Sequence, residues 1–374
     1  MLTLEAITLR EIGLELVEPF RISSGETSRR RILLLELRDT DGVVVWSECV
    51  AGERPNYSPE TIDTAWLVIR DHLAPRILGF ELASAAEAHV RLGTDIRGHR
   101  MARAAVEMGL WCLEAERRQI PLARLLGAER ERVAAGISIG IQASPAELAE
   151  KVTAAFERGY RKVKMKIEPG RDRAFVEAVR GRCGTDAPLM VDANNAYTLD
   201  DLPLLRALDT FALMMIEQPL AWDDIVQHAA LQAELATPIC LDESITGPDR
   251  VRDMIALRSG RIVNIKPGRV GGFASSLAIH TLCREAGIPV WCGGMLESGV
   301  GRGYNVALAS LPGFTLPGDI SPSERYWARD IVDPPWTMDV EGWLDVPLEA
   351  SGLGVAVDSD RIEALTVRRE TLRS

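Results

Sequence analysis

Three acidic residues recur at a constant interval, each closing a short apolar run. Asp192 follows Leu189-Met190-Val191, Glu217 follows Leu213-Met214-Met215-Ile216, and Asp242 follows Ile239-Cys240-Leu241. The intervals are 217 − 192 = 25 and 242 − 217 = 25 residues. Lysines flank the set: Lys166 precedes the first acid by 192 − 166 = 26 residues, and Lys266 follows the last by 266 − 242 = 24. Lys164 shares a face with Lys166, because side chains alternate along a strand. Three carboxylates within a few ångströms repel one another unless a cation joins them. Oxygen-only donors favour Mg²⁺, or Mn²⁺, over zinc or copper. Two lysines on opposite sides of such a centre suit removal of a proton next to a carboxylate. Losing that proton puts two negative charges on an enediolate, which a cation on the carboxylate oxygens would stabilise. The base must be neutral to act. The metal and the ammonium of Lys164 would both disfavour protonated Lys166.

Plainer readings compete. An Asp after a strand is most often a helix N-cap, but caps do not require lysines at matching depths. Lys164 alone could be a solvated strand residue. Asn194, two residues past Asp192, either bonds a metal ligand or turns the chain in Asn194-Asn195. Glu243 beside Asp242 suits a supporting or capping role better than direct ligation. Gly268-Arg269-Val270-Gly271-Gly272 could cradle phosphate, although an ordinary loop between strand and helix explains it equally well. In Gly293-Gly294-Met295-Leu296 the glycines would let a substrate approach the backbone. No H-x-x-x-H, H-E-x-x-H or C-x-x-C spacing suggests a zinc site.

These residues need elements that hold them at one level. Short apolar runs alternate with amphipathic stretches from about residue 130: Gly136–Ile139, Lys162–Ile167, Leu189–Asp192, Leu213–Glu217, Ile239–Asp242, Ile262–Lys266, Pro289–Cys292 and, more weakly, Phe314–Pro317. A strand–helix repeat of this kind builds a parallel sheet, and eight units closing on themselves make a (β/α)₈ barrel. The acids then stand at the same height on adjacent strands. Residues 1–125 read differently, as strands followed by helices, an α+β domain. Thr3–Leu9, Arg31–Leu37 and Val43–Trp46 are its strands. Pro19–Thr27 and Gly52–Ser58 are expected to be loops, the first of them flexible. Residues 126–325 form the barrel, and 326–374 are expected to return to the first domain.

Bulk properties narrow the class. Hydrophobic residues make up 47% of the 374 and aromatics 5%, so a sizeable core is expected to be mainly aliphatic. A net charge of −11 argues against a nucleic-acid surface. No apolar run spans a membrane, and the N-terminus lacks the pattern of a signal peptide. With six cysteines read as buried thiols, the expected compartment is the cytoplasm.

The motifs resemble the o-succinylbenzoate synthase / N-acylamino acid racemase group of the enolase superfamily, in its muconate-lactonizing subgroup. The resemblance rests on Lys164-Met165-Lys166-Ile167-Glu168-Pro169-Gly170, Val191-Asp192-Ala193-Asn194-Asn195-Ala196-Tyr197, Ile216-Glu217-Gln218-Pro219-Leu220, Cys240-Leu241-Asp242-Glu243-Ser244, the stretch Asn264–Gly272 and the stretch Trp291–Arg302. It implies a modified (β/α)₈ TIM-type barrel under an N-terminal α+β capping domain, Mg²⁺ on Asp192, Glu217 and Asp242, and Lys166 and Lys266 as the acid/base pair. It further implies a small carboxylate substrate, loops around Phe20–Glu26 and Gly52–Ser58 that close over it, and a homo-oligomer. Substrate contacts are expected at Phe20, Ser23, Tyr57, Ser138, Gly294, Met295 and Leu296. Related dipeptide epimerases carry D-x-D where this chain has Asp319-Ile320-Ser321, which argues against that activity. The leading expectation is dehydration of 2-succinyl-6-hydroxy-2,4-cyclohexadiene-1-carboxylate to 2-succinylbenzoate, a step towards menaquinone. N-acyl- or N-succinylamino acid racemisation is the near alternative, and a non-catalytic ligand-binding barrel the distant one.

Overall fold

The computed structural model describes residues 1–374. Three antiparallel strands open the chain: β1 (Leu2–Ile22), β2 (Gly25–Asp39) and β3 (Val44–Cys49). Seven parallel strands follow: β4 (Gly136–Ile139), β5 (Lys162–Lys166), β6 (Leu189–Asp192), β7 (Ile216–Glu217), β8 (Ile239–Leu241), β9 (Ile262–Ile265) and β10 (Val290–Cys292). The last strand, β11 (Thr366–Arg373), returns to the first sheet and pairs with β1, Ile7 opposite Leu372.

The expected loop at Pro19–Thr27 is instead hairpin. β1 and β2 stay paired to their tips, with Phe20 opposite Thr27 and Ile22 opposite Gly25, so only Ser23 and Ser24 turn. Pro19 sits where the register slips between Glu15 and Phe20. A residue without an N–H is tolerated at such an irregularity. Gly52–Ser58 does form an irregular loop, anchored by a bridge between Gly52 and Thr61.

The helix Arg100–Arg117 joins the two domains. It packs against β3, where Ser47 Oγ donates to Ala105 O (2.7 Å). Glu107, on the same helix, is fully buried and accepts from the backbone N–H groups of Phe273 and Ala274 (2.7 and 2.9 Å). These are orphan donors of the barrel helix Phe273–Glu285.

In the barrel, β4 to β10 neighbour one another in chain order. The expected eighth strand at Phe314–Pro317 is not a strand. Residues 316–319 instead bridge the two free edges: Leu316 N and Asp319 N donate to the carbonyls of Val290 and Cys292 on β10, while Gly136 N on β4 donates to Gly318 O (2.7 Å). Pro317 has no N–H to give a ladder. A Cβ at Gly318 would lie 2.8 Å from Cys292 O. Closure therefore uses tight, irregular backbone.

Met190, Met215 and Cys240 lie two residues before Asp192, Glu217 and Asp242, and so face the same side. With Ile262 and Trp291 they form a separate buried cluster of five residues, distinct from the main core of 101. This apolar floor lies beneath the polar mouth. No helix is long and apolar enough to cross a membrane.

Candidate active site

Lys166, Asp192 and Glu217 lie side by side, since Lys166 pairs with Asp192 and Asp192 with Glu217 across adjacent strands. The row then departs from the equal height expected from spacing. Glu217 pairs with Cys240 and Cys240 with Ile262. Asp242 stands two residues beyond its row and Lys266 four. Strand tilt in a closed barrel compensates for this stagger, so residues climbing in register still meet at the mouth. Lys166 lies on the second strand position and Lys266 on the sixth of eight around the ring, counting 316–319 as the last. The two amino groups thus approach from opposite sides. Both border one cavity of about 320 Å³ beneath the first domain.

All five side chains are buried, none more than 8% exposed. Lys166 Nζ donates to Asp192 Oδ2 (2.5 Å) and Asn194 Oδ1 (2.7 Å). Lys164 Nζ lies 3.2 Å from Asp192 Oδ2 and donates to Glu217 Oε2 (3.1 Å). Lys266 Nζ donates to Asp242 Oδ2 (2.8 Å), and Arg269 pairs with Asp242 Oδ1. Asn264 Nδ2 donates to Glu217 Oε1 (2.7 Å). Glu243 accepts from Asn194 Nδ2 (3.1 Å) while its Oε2 is buried without a partner.

Burial pushes the Lys166 amine below the ordinary lysine value. Asp192 opposes that shift, and the Lys164 ammonium adds to it. Burial also opposes the charge on Lys164, but Asp319, Glu217 and Asp192 outweigh it and hold that ammonium well above the usual range. Lys266 is raised as well: Tyr57, Glu217 and Glu243 more than offset its burial. One lysine is biased towards the neutral base and two towards the cation.

No three His, Cys, Asp or Glu side chains stand as an open ligand set in this arrangement. The carboxylates are instead closed by ammonium and guanidinium groups. Their chemistry nonetheless fits a hard divalent cation: three buried carboxylates, no thiolate or imidazole, and an unpartnered Asn264 Oδ1 beside them. Charge agrees. Five buried acids (Asp192, Glu217, Asp242, Glu243, Asp319) face five buried cations (Lys162, Lys164, Lys166, Lys266, Arg269). A dication, a carboxylate substrate and a neutral Lys166 would leave that balance unchanged.

The other expected positions divide. Phe20, Tyr57, Gly294, Met295 and Leu296 border the cavity with both lysines. Ser23 lies beside it, its Oγ donating to Asn194 O (3.2 Å). Ser138 does not border it. This residue pairs with Lys164 inside the barrel, and its buried Oγ has no partner. Tyr57 does more than border: its hydroxyl donates to Asp242 and accepts from Lys266.

Lys162 and Asp319 were not anticipated as site residues. Lys162 Nζ sits 3.5 Å from the centre of the Trp291 ring and 3.2 Å from Asp319 Oδ1, while Asp319 Oδ2 lies 2.6 Å from Lys164 Nζ. The alternation 162, 164, 166 already carried that signal for Lys162. Asp319 was read only as the residue standing where related epimerases begin D-x-D; its contacts with the lysines come from the irregular closing segment.

Comparison with known proteins gives the same architecture. Residues 5–127 match the "Mandelate racemase / muconate lactonizing enzyme, N-terminal domain" family and residues 147–361 the "Enolase C-terminal domain-like" family. The chain is 46% identical over 365 residues to an o-succinylbenzoate synthase from Geobacillus stearothermophilus, covering 98% of this chain and 96% of that protein. It is 45% identical over 366 residues to an N-succinylamino acid racemase from Amycolatopsis sp, covering 98% of each. A crystal structure of an enolase-superfamily member from Listeria innocua superposes over all of both chains with a TM-score of 0.95 at 39% identity. This chain therefore belongs to the o-succinylbenzoate synthase / N-succinylamino acid racemase group of the enolase superfamily.

Proposed function

We propose that this protein is an o-succinylbenzoate synthase that removes the proton α to a carboxylate of 2-succinyl-6-hydroxy-2,4-cyclohexadiene-1-carboxylate. The observation that carries this reading is the pair of buried amino groups, Lys166 and Lys266, facing one cavity from opposite sides of the barrel. Lys166, biased towards its neutral form, takes the α-proton. It then returns that proton to the departing hydroxyl on the same face, so C–H and C–O bonds break and water leaves. Lys266, held as a cation by its neighbours, stabilises the negative charge that develops on the substrate. Lys164 stays charged, lowers the affinity of Lys166 for a proton and holds Glu217 and Asp192 in place. Asn194, bonded to both Lys166 and Glu243, fixes the direction of the Lys166 amine. The apolar floor and the overlying hairpin and loop keep water from competing for the proton.

Asp192, Glu217 and Asp242 would hold Mg²⁺, which when bound supplies positive charge to the reacting carboxylate.

Racemisation of N-succinylamino acids is a second reading, favoured by the same opposed lysines. Either one can take a proton while the other delivers one to the opposite face. Both activities begin with the same abstraction, so one site can carry both. The test is turnover of the cyclohexadiene beside α-proton exchange of N-succinylphenylalanine in D₂O, with and without Mg²⁺. Dehydration in the presence of metal supports the synthase; exchange without dehydration replaces it with the racemase. Neither activity in folded, metal-loaded protein overturns both.

A further inference from the structure

Three arginines run consecutively along β2, Arg29-Arg30-Arg31. Alternation sends the first and third to one face and the second to the other. Arg29 meets Glu15 (3.4 Å), and Arg31 meets Glu11 (2.7 Å) and Asp63 (3.1 Å). Arg30 turns inward and is 9% exposed, and its Nε and Nη2 are buried with no hydrogen-bond partner. Those two nitrogens form the side-on fork of a guanidinium, the edge that matches the two oxygens of a carboxylate.

No protein carboxylate fills that fork. Glu48 and Glu297 are close enough to support the charge, while burial lowers the pKa of Arg30. Glu48 Oε2, however, accepts from the backbone N–H and hydroxyl of Ser298 and from Gly301 N, and Oε1 accepts from Ser298 N at 3.3 Å. Glu297 Oε1 accepts from Met295 N and Asn305 Nδ2, and its Oε2, without a hydrogen bond, faces Arg302 Nη2 at 3.4 Å. Arginine stays protonated in proteins. A buried, charged, unused fork is therefore kept beside the active site, since Arg30 borders the same cavity as Lys166, Lys266 and Gly294. Leaving such donors unpaired costs stability, which a ligand carboxylate would recover.

We infer that Arg30 receives the second carboxylate of the substrate, the free end of a succinyl arm, while the reacting carboxylate lies between Lys166 and Lys266. The inference rests on the preceding reading that the substrate carries a succinyl group. It makes β2 the source of acyl-group selectivity, with the lysines and acids indifferent to which acyl chain is attached.

The test compares α-proton exchange of N-succinylphenylalanine and N-acetylphenylalanine by the Mg²⁺-loaded full-length protein, its Arg30→Met variant and its Arg30→Lys variant. Loss of a charge-assisted fork lowers the ratio of kcat/KM for succinyl over acetyl substrate by about 10- to 100-fold in Arg30→Met, mostly through KM. Arg30→Lys keeps the charge without the fork and is expected to fall between. Calorimetric titration with N-succinylphenylalanine should show the same order of weakening. A wild-type preference for succinyl that persists in Arg30→Met overturns the assignment. Should Arg30→Met not fold, an unchanged ratio and affinity in Arg30→Lys overturns it equally. A wild-type protein that processes neither substrate and does not dehydrate the cyclohexadiene sinks the functional reading instead, so the two failures are distinguishable.

Discussion

The hydroxyl of Tyr57 lies 3.0 Å from the amino group of Lys266, joining residues 209 positions apart. The same hydroxyl donates to Asp242 Oδ1 (3.1 Å) and accepts from Arg269 Nη1 (3.3 Å). A loop of the first domain thus touches the lysine proposed to act as cation and one proposed metal ligand together. Tyr57→Phe removes all three bonds without opening a cavity. The expected loss in kcat/KM is about 10-fold, equivalent to one or two ordinary hydrogen bonds at about 0.5–1.5 kcal/mol each. Steady-state kinetics on the cyclohexadiene measure it, and an unchanged kcat/KM would remove Tyr57 from the site.

The two lysines should separate the two chemistries. In dehydration, Lys166→Ala removes the only base, and the rate is expected to fall by about 10²–10⁴-fold or more. In racemisation each lysine serves one face. Lys166→Ala should then abolish α-proton exchange of one enantiomer, while Lys266 still exchanges the other, and Lys266→Ala should show the reverse. Exchange in D₂O followed by NMR reads this directly. Equal retention of exchange for both enantiomers in both variants contradicts the assignment.

The acid limb of the pH profile should report Lys166. Burial lowers its pKa and the Lys164 ammonium lowers it further, against the pull of Asp192. Because the neutral amine is the active form, kcat/KM is expected to rise with pH as Lys166 loses its proton. Removing the Lys164 charge removes a cause of lowering, so Lys164→Met should move that limb to higher pH. Movement to lower pH would mean that another group controls the limb.

Metal removal should silence the enzyme without unfolding it. Buried acids and cations balance in the arrangement described, with each proposed ligand paired to a lysine or to Asn264. Chelation is therefore expected to abolish turnover while circular dichroism at 25 °C stays native. Re-addition of Mg²⁺ should restore activity and raise Tm in a concentration-dependent way. Unfolding on chelation would show that the lysines cannot take over the role of the cation.

The contact between the domains has its own test. Glu107 accepts from Phe273 N, Ala274 N and Trp111 Nε1. Glu107→Ala leaves three buried donors unpaired. About 3 kcal/mol of destabilisation is expected, from roughly 1 kcal/mol for each lost partner, measured by urea denaturation. A loss below about 0.5 kcal/mol would mean that water replaces the carboxylate.

The central residues were legible because their signal is local. A strand alternates its side chains with a period of two, and a strand–helix unit has a nearly constant length. Lys164, Lys166, Asp192, Glu217, Asp242 and Lys266 therefore announced themselves by interval alone. The same rule applied one step further back would have found Lys162. The register was not legible in this way. Equal spacing suggested equal height, but the ladder runs from Glu217 to Cys240 and Ile262, because barrel closure tilts the strands. The eighth strand failed for a related reason: its apolar run, weaker than its predecessors, kept their spacing, yet Pro317 and Gly318 lie in a segment that serves two edges at once.

By itself, the sequence determined the reactive residue types, their repeat and the two-part organisation of the chain. Tertiary structure decided which partners those residues meet. The Tyr57 hydroxyl reaches Lys266 only because the first domain folds back over the barrel. Asp319 reaches Lys164 only because an irregular segment closes the ring. Arg30 is left without a protein partner only because alternation along β2 turns it away from the acids that engage its neighbours. Periodicity is a property of neighbouring residues in the chain. Hydrogen bonding and burial across hundreds of residues depend on how separate elements come to rest against one another.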